Sequence, residues 1–259
     1  MIPYASYFIT FLSIIGFIFT SFTPNGPPDL LVRILNAAAL SGWITVIVLL
    51  VDKQFETACD LALSLEYIAF VEVLRILRKQ LAGNFVLGII LHCIRTGMIL
   101  SGFPRLLALS VTKDNESDTF WVEAILWTWA ITEVSRYPMY LMQSKIVRLV
   151  RMVVPVFTFP LGAGSEAYVS YLLLKTSLGL GSEGDASAAE WMARLIFGLT
   201  LFINALLGPT MAYPAIVKKA MKELSGKEEK NQKSKDASKE RAETSSSAAK
   251  KRKKARKDD

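Results

Sequence analysis

The hydrophobic residues of this chain fall into long blocks separated by short polar stretches, and they do not recur at the short periods of soluble helices or strands. A helix of about 20 apolar residues is long enough to cross the hydrocarbon core of a bilayer. The pattern therefore predicts an all-α, polytopic membrane helical bundle: one extra N-terminal hydrophobic segment, six further spans and a disordered basic tail. The seven blocks are 2–22, 34–51, 58–74, 85–111, 120–142, 148–171 and 195–217.

The first block carries no charged residue and is followed by a turn-rich break at 25–28. A cleaved signal peptide is the alternative interpretation. The block has no basic region before it and no small-residue cleavage site after it, which favours a retained span or a re-entrant anchor. These boundaries divide the chain into an N-terminal hydrophobic segment and turn (1–28), a membrane domain (29–222) and a Lys-rich tail (223–259).

The net charge of +7 belongs to the tail, because residues 218–259 hold 16 Lys and Arg against 8 Asp and Glu. In the rest of the chain the connecting stretches alternate in sign: 75–79 and 145–151 are basic, whereas 112–118 and 178–190 are acidic. Short loops rich in Lys and Arg stay in the cytosol. The two basic stretches and the C-terminus are therefore expected on the cytosolic side.

The tail has almost no large apolar residues to bury, so it is expected to be disordered. Its basic run at 250–257 fits attraction to anionic lipid at the membrane surface better than binding to nucleic acid. The last four residues, 256–259, approximate a lysine-based retrieval signal of the endoplasmic reticulum, with Lys257 in place.

The block 148–171 contains one carboxylate, Glu166, which follows Pro155, Pro160 and two glycines. An ionisable group at membrane depth costs a few kcal/mol and marks a candidate functional site. Because each proline removes a helix hydrogen-bond donor, the helix is expected to kink or open where Glu166 faces inward. A structural carboxylate bonded to a neighbouring helix is the alternative.

A second polar constellation lies in the preceding block, where Glu133 and Arg136 are three residues apart. That spacing places them on one helix face, where they can pair and lower the cost of burying each other. Tyr137 and Tyr140 extend the same face. The constellation indicates a polar active site, a structural ion pair or an aromatic belt at the membrane interface.

These two elements resemble the very-long-chain (3R)-3-hydroxyacyl-CoA dehydratase family, also called protein tyrosine phosphatase-like proteins. The family's W-S-x-x-E-x-x-R-Y pattern is similar to Trp129 to Tyr137, with Ala130 in place of Ser. The resemblance extends over residues 33–222. Its other matching positions are Leu35, Asn36, Gly42, Trp43, Glu72, Arg95, Phe159, Pro160, Gly162 and Glu166.

The resemblance implies dehydration of long-chain and very-long-chain (3R)-3-hydroxyacyl-CoA to trans-2-enoyl-CoA in the fatty acid elongation cycle. It implies no cofactor or metal, and its partners are membrane lipid and the other elongation enzymes in the endoplasmic reticulum membrane. The catalytic positions would be Glu166 and Phe159, with Glu133, Arg136 and Tyr137, together with Tyr140, in support.

Phe159 departs from the family, which has a catalytic tyrosine at this position. Phenylalanine has no proton to transfer, so the second catalytic role must pass to Tyr137, Tyr140, Tyr168 or a bound water, or else be lost. If only that hydroxyl is missing, Phe159→Tyr should raise turnover by at least about tenfold.

Other functions remain open beside the dehydratase. A catalytically silent membrane scaffold with the same fold is favoured by Phe159. A small-solute transporter fits a polar-lined bundle, although no internal repeat supports it. Phosphatase chemistry is excluded because neither Cys59 nor Cys93 lies in a phosphate-binding loop, and their spacing suggests neither a disulfide nor a metal site.

Overall fold

The computed structural model describes residues 2–23, 26–113, 116–142, 144–179 and 187–225. Within these ranges the chain consists of helices joined by short turns and contains no strand, so the predicted all-α class is confirmed there. The helices are α1 (Ile2–Phe22), α2 (Asp29–Val51), α3 (Phe55–Leu77), α4 (Phe85–Gly97), π1 (Met98–Gly102), α5 (Phe103–Lys113), α6 (Glu116–Arg136), α7 (Pro138–Leu141), α8 (Lys145–Gly179), α9 (Ala188–Phe202), π2 (Ile203–Ala212) and α10 (Tyr213–Leu224).

In the described part of the chain, seven helical rods correspond to the seven predicted blocks, because α4 continues through π1 into α5, α6 continues into α7, and α9 continues through π2 into α10. Five rods are long and apolar enough to cross a membrane; the other two are those of α3 and α6. The predicted disorder of 223–259 falls almost entirely outside the described residues, which end at 225.

Short turns reverse the chain between α2 and α3 and between α3 and α4. After α2 the chain turns at Lys53, whose φ of 59° is left-handed, and after α3 it turns in the same way at Lys79, at 57°. These are helix C-terminal stops of the αL kind. At the start of α4, the Asn84 side chain caps the helix by accepting a hydrogen bond from the backbone N–H of Leu87.

Two central helices organise the bundle. Helix α3 packs against α1, α2 and α4, and α8 packs against α6, α9, π2 and α10. The interior between α2 and α3 is apolar, with Trp43, Leu61 and Leu65 fully buried. The N-terminal helix α1 belongs to this packing, because Ile9 and Leu12 lie in the core.

The outer surface of the bundle is also apolar. Val86 on α4, Phe157 on α8 and Leu195 on α9 are each more than 60% exposed. Soluble monomers rarely expose large apolar patches, so this surface fits a lipid environment. Apolar outer faces together with helices of spanning length make the fold compatible with a membrane protein.

Helix α8 does not open at its prolines. Of the two predicted outcomes near Glu166, the opening is wrong, because the chain is helical from Lys145 to Gly179 with Pro155 and Pro160 inside it. The kink stays a prediction. The irregular backbone occurs instead in π1 and π2. Such π-helical segments are rare and often lie at functional sites.

Candidate functional site

A buried network of charged side chains connects α3, α4 and α6. One guanidinium nitrogen of Arg95 on α4 donates to Glu133 on α6 at 2.7 Å and to Glu66 on α3 at 3.3 Å. His92, one turn before Arg95, places Nδ1 2.6 Å from the second oxygen of Glu66. All four side chains are buried. Because each charge faces an opposite charge, the cost of holding them in the interior is reduced.

Arg136, at the end of α6, extends the network because it contacts the second carboxylate oxygen of Glu133. Its Nε lies 2.8 Å from Glu133 Oε2, which confirms the predicted pairing on one helix face. The contact is an ion pair whose geometry is too bent for a hydrogen bond. Another nitrogen of Arg136 lies 3.3 Å from Glu72 and donates to the Tyr137 hydroxyl at 2.8 Å. The predicted supporting residues Glu133, Arg136 and Tyr137 are thus brought together with Glu72.

Glu166 is held by two N–H donors from different helices. The indole Nε1 of Trp129 on α6 donates to one carboxylate oxygen at 2.6 Å, and the amide of Asn204 in π2 donates to the other at 2.6 Å. Glu166 as a whole residue is 8% exposed. Donors on both oxygens stabilise the charged form and fix the direction of its lone pairs.

Trp129 connects this carboxylate to the charged network. The guanidinium of Arg95 lies over the Trp129 ring at 5.1 Å, within cation–π range. The same ring donates its N–H to Glu166. A change at Arg95 is therefore expected to alter the position of the Glu166 carboxylate through one intervening side chain.

Phe159 precedes Glu166 by seven residues, about 10 Å along α8. Its ring stacks on Tyr213 of α10, with centroids 6.3 Å apart and planes 13° apart. Both rings line a cavity of about 300 Å³ between α8 and the π2–α10 rod, and Asn204 lines the same cavity. The cavity therefore reaches the residue that holds Glu166.

The other candidate tyrosines have different surroundings. Tyr140 lies at the edge of the network, with its ring 6.1 Å from Tyr137 and the guanidinium of Arg151 over it at 5.4 Å. Tyr168 packs against Trp121 at 5.0 Å, away from Phe159. Neither ring lines the cavity beside Phe159.

Sequence reasoning did not include Asn204, Tyr213, Glu66 and His92 among the site residues. Asn204 is the most polar side chain in its apolar block, and Glu66 and His92 are titratable groups inside apolar blocks, so each carried a signal of its own. Tyr213 carried none, because aromatic residues are common near the ends of membrane helices. Its proximity to Phe159 depends on how two rods pack.

The fold and the site define an all-helical protein with several helices of membrane-spanning length and a buried carboxylate whose partner Asn204 lines a half-open cavity. Comparison with protein-family models, characterised proteins and solved structures finds no match.

Proposed function

We propose that this protein is a membrane hydro-lyase that converts a long-chain (3R)-3-hydroxyacyl-CoA to the trans-2-enoyl-CoA. The observation that carries the proposal is the position of Glu166. It is buried in the bundle, oriented by Trp129 and Asn204, and adjacent through Asn204 to a cavity of about 300 Å³. Positioned carboxylates of this kind serve as general bases.

Dehydration needs a base for the proton on the α-carbon and an acid for the departing hydroxyl. Both oxygens of Glu166 accept hydrogen bonds, an arrangement that suits a carboxylate acting as the base. The nearby guanidinium of Arg95 adds positive charge next to Trp129. Negative charge that develops on the thioester oxygen would be stabilised by such a preorganised positive field.

The shape and charge of the bundle suit an acyl-CoA. Basic residues are concentrated at one end of the rods: Arg78 at the end of α3 donates to the Ser21 carbonyl, and Arg148 at the start of α8 pairs with Glu223 at the end of α10. With Lys218 and Lys219, which lie in the same last turns of α10, this end would attract the phosphates of CoA. The acyl chain would extend along the apolar surfaces.

We place the basic end in the cytosol by the positive-inside rule. All seven rods would then cross the membrane, with α1 as the additional span and the Lys-rich tail in the cytosol. The endoplasmic reticulum is the expected location, because 3-hydroxyacyl-CoA substrates of this length come from a reductase step of fatty acid elongation and the products go to a further reduction.

The test is a dehydratase assay on full-length protein in lipid nanodiscs with 3-hydroxystearoyl-CoA, measuring the enoyl-CoA by mass spectrometry. Glu166→Gln should reduce kcat by about 10²–10⁴-fold because it removes the base. Glu56→Gln is the matched control, since Glu56 is exposed in the first turn of α3, and it should leave kcat unchanged. A parent protein without turnover would contradict the proposal.

A catalytically silent scaffold is the second candidate. It is favoured by Phe159, which cannot transfer a proton. In that case neither the parent nor any variant would form enoyl-CoA. Co-purification with elongation enzymes would persist unchanged in Glu166→Gln.

A further inference from the structure

The cavity beside Phe159 contains a single side chain with an acidic proton. Nine residues line it, and apart from Asn204 and Tyr213 their side chains are hydrocarbon or absent. The Asn204 amide is committed to Glu166 and is not a Brønsted acid near neutral pH. A tyrosine phenol both donates and accepts a proton. Among the described residues that line this cavity, Tyr213 alone can act as a general acid.

Resting on the proposed dehydration, we infer that Tyr213 is the catalytic acid that protonates the departing hydroxyl. Tyr213, on α10, would act together with Glu166, on the neighbouring helix α8. The tyrosine hydroxyl that Phe159 lacks is thus supplied from the facing helix.

The packing of α8 against the π2–α10 rod places Tyr213 beside Phe159. Phe159 stacks on Tyr213, and two turns further along α8, Glu166 bonds Asn204. Seven residues of helix separate Phe159 from Glu166, about 10 Å at 1.5 Å per residue. Tyr213 and Phe159 therefore stand at the same distance along α8 from the carboxylate.

The Tyr213 side chain is available for this role. Its hydroxyl has no hydrogen-bond partner within the part of the chain that the structure describes. The three candidate tyrosines considered from sequence differ in this respect or in place: the Tyr137 hydroxyl is bound by Arg136, and Tyr140 and Tyr168 lie outside the cavity.

The reaction balances with these two groups. Glu166 takes the proton from the α-carbon, the electrons of that C–H bond form the C2–C3 double bond, and the C3–O bond breaks. Tyr213 gives its phenolic proton to the departing hydroxyl, which leaves as water. The phenolate then regains a proton and Glu166 loses one by exchange with water, so that neither group is consumed.

The experiment removes the hydroxyl from Tyr213 and adds one to Phe159, the ring that stacks on it. Full-length variants in nanodiscs are assayed with 3-hydroxystearoyl-CoA. Tyr213→Phe should lower kcat by about a hundredfold or more with KM little changed, because an acid used only in the transition state is removed. Tyr171→Phe is the matched control, since it removes a hydroxyl from an exposed ring that does not line the cavity, and it should keep the parent kcat.

The double variant Phe159→Tyr/Tyr213→Phe should then have a kcat at least about tenfold higher than that of Tyr213→Phe alone. The new hydroxyl would extend from the ring tip that lies against Gly208, where a Cβ would stand 3.3 Å from Phe159 Cζ. Phe159→Tyr alone should change kcat by less than about tenfold, since the acid is already present. This differs from the increase that the sequence alone predicts.

The outcomes separate this inference from the proposed function. If Tyr213→Phe keeps the parent kcat while Glu166→Gln loses it, Tyr213 is not the acid and the dehydratase proposal stands. If Tyr213→Phe lowers kcat but the double variant recovers none of it, the tyrosine is a packing residue and the inference fails. If the parent has no turnover, the inference fails together with the proposed function.

Discussion

The buried charged residues of this protein share partners, which lowers the free-energy cost of keeping their charges in the interior. Arg95 serves both Glu66 and Glu133, and Arg136 serves both Glu133 and Glu72. In a low-dielectric interior such shared pairs are far more sensitive to the loss of one member than exposed pairs are. The network also contacts Trp129, which orients Glu166, so its integrity matters for the candidate site as well as for folding.

Arg95→Leu should lower the free energy of unfolding by about 3–5 kcal/mol, because it leaves two buried carboxylates without their shared cation. Thermal unfolding of detergent-solubilised protein measures the effect. The control is Lys53→Met, which breaks an exposed pair with Glu123 and should cost at most about 1 kcal/mol. Equal shifts for the two variants would show that the network does not stabilise the fold.

Among the helices, the close contact between α6 and α8 depends on Gly162. A Cβ at position 162 would stand 2.8 Å from Thr128 Oγ1, whereas a Cβ at position 164 would meet nothing within 4 Å. The missing side chain of Gly162 therefore lets α8 approach α6 closely, and that approach brings Glu166 within reach of Trp129. Small residues at helix contacts are the usual device for close packing in membranes.

Gly162→Ala should destabilise the protein by about 1–3 kcal/mol, the usual cost of overpacking. Gly164→Ala should be neutral or stabilising by up to about 1 kcal/mol, because alanine favours helix and finds open space there. The midpoint of thermal unfolding distinguishes them. A Gly164→Ala midpoint as low as that of Gly162→Ala would mean that α6 does not limit the space at position 162.

The whole molecule separates its charges along the rod axis. The Arg148–Glu223 pair and the Arg78 contact with Ser21 lie at one end, and the Lys53–Glu123 pair lies at the other. The first end carries most of the basic residues of the connecting turns, and the C-terminal tail leaves from it. The positive-inside rule predicts that this end faces the cytosol, as in the proposed topology.

A C-terminal tag should accordingly be digested when protease is added to sealed microsomes. A tag inserted after Lys53, at the opposite end, should be protected until detergent opens the membrane. Immunoblotting of both tagged proteins measures the orientation. Protection of the C-terminal tag would contradict the proposed topology.

Local patterns in the sequence were sufficient to predict the helical rods and one ion pair, Glu133–Arg136. A long apolar block predicts a helix because about 20 residues of helix match the bilayer, and every predicted block is helical. Glu133 and Arg136 pair because residues three apart share a helix face. Their pairing follows from helix geometry alone, whatever the rest of the chain does.

The site itself depends on packing between rods. Glu66 lies 26 residues from its partner His92, and Asn204 lies 38 residues from Glu166. Tyr213 meets Phe159 across two neighbouring helices. Hydrophobic periodicity states which residues can face inward, but an all-apolar helix has no polar face that fixes its rotation. Rotation and depth are set by side-chain packing between helices, so only the folded bundle specifies which polar groups meet.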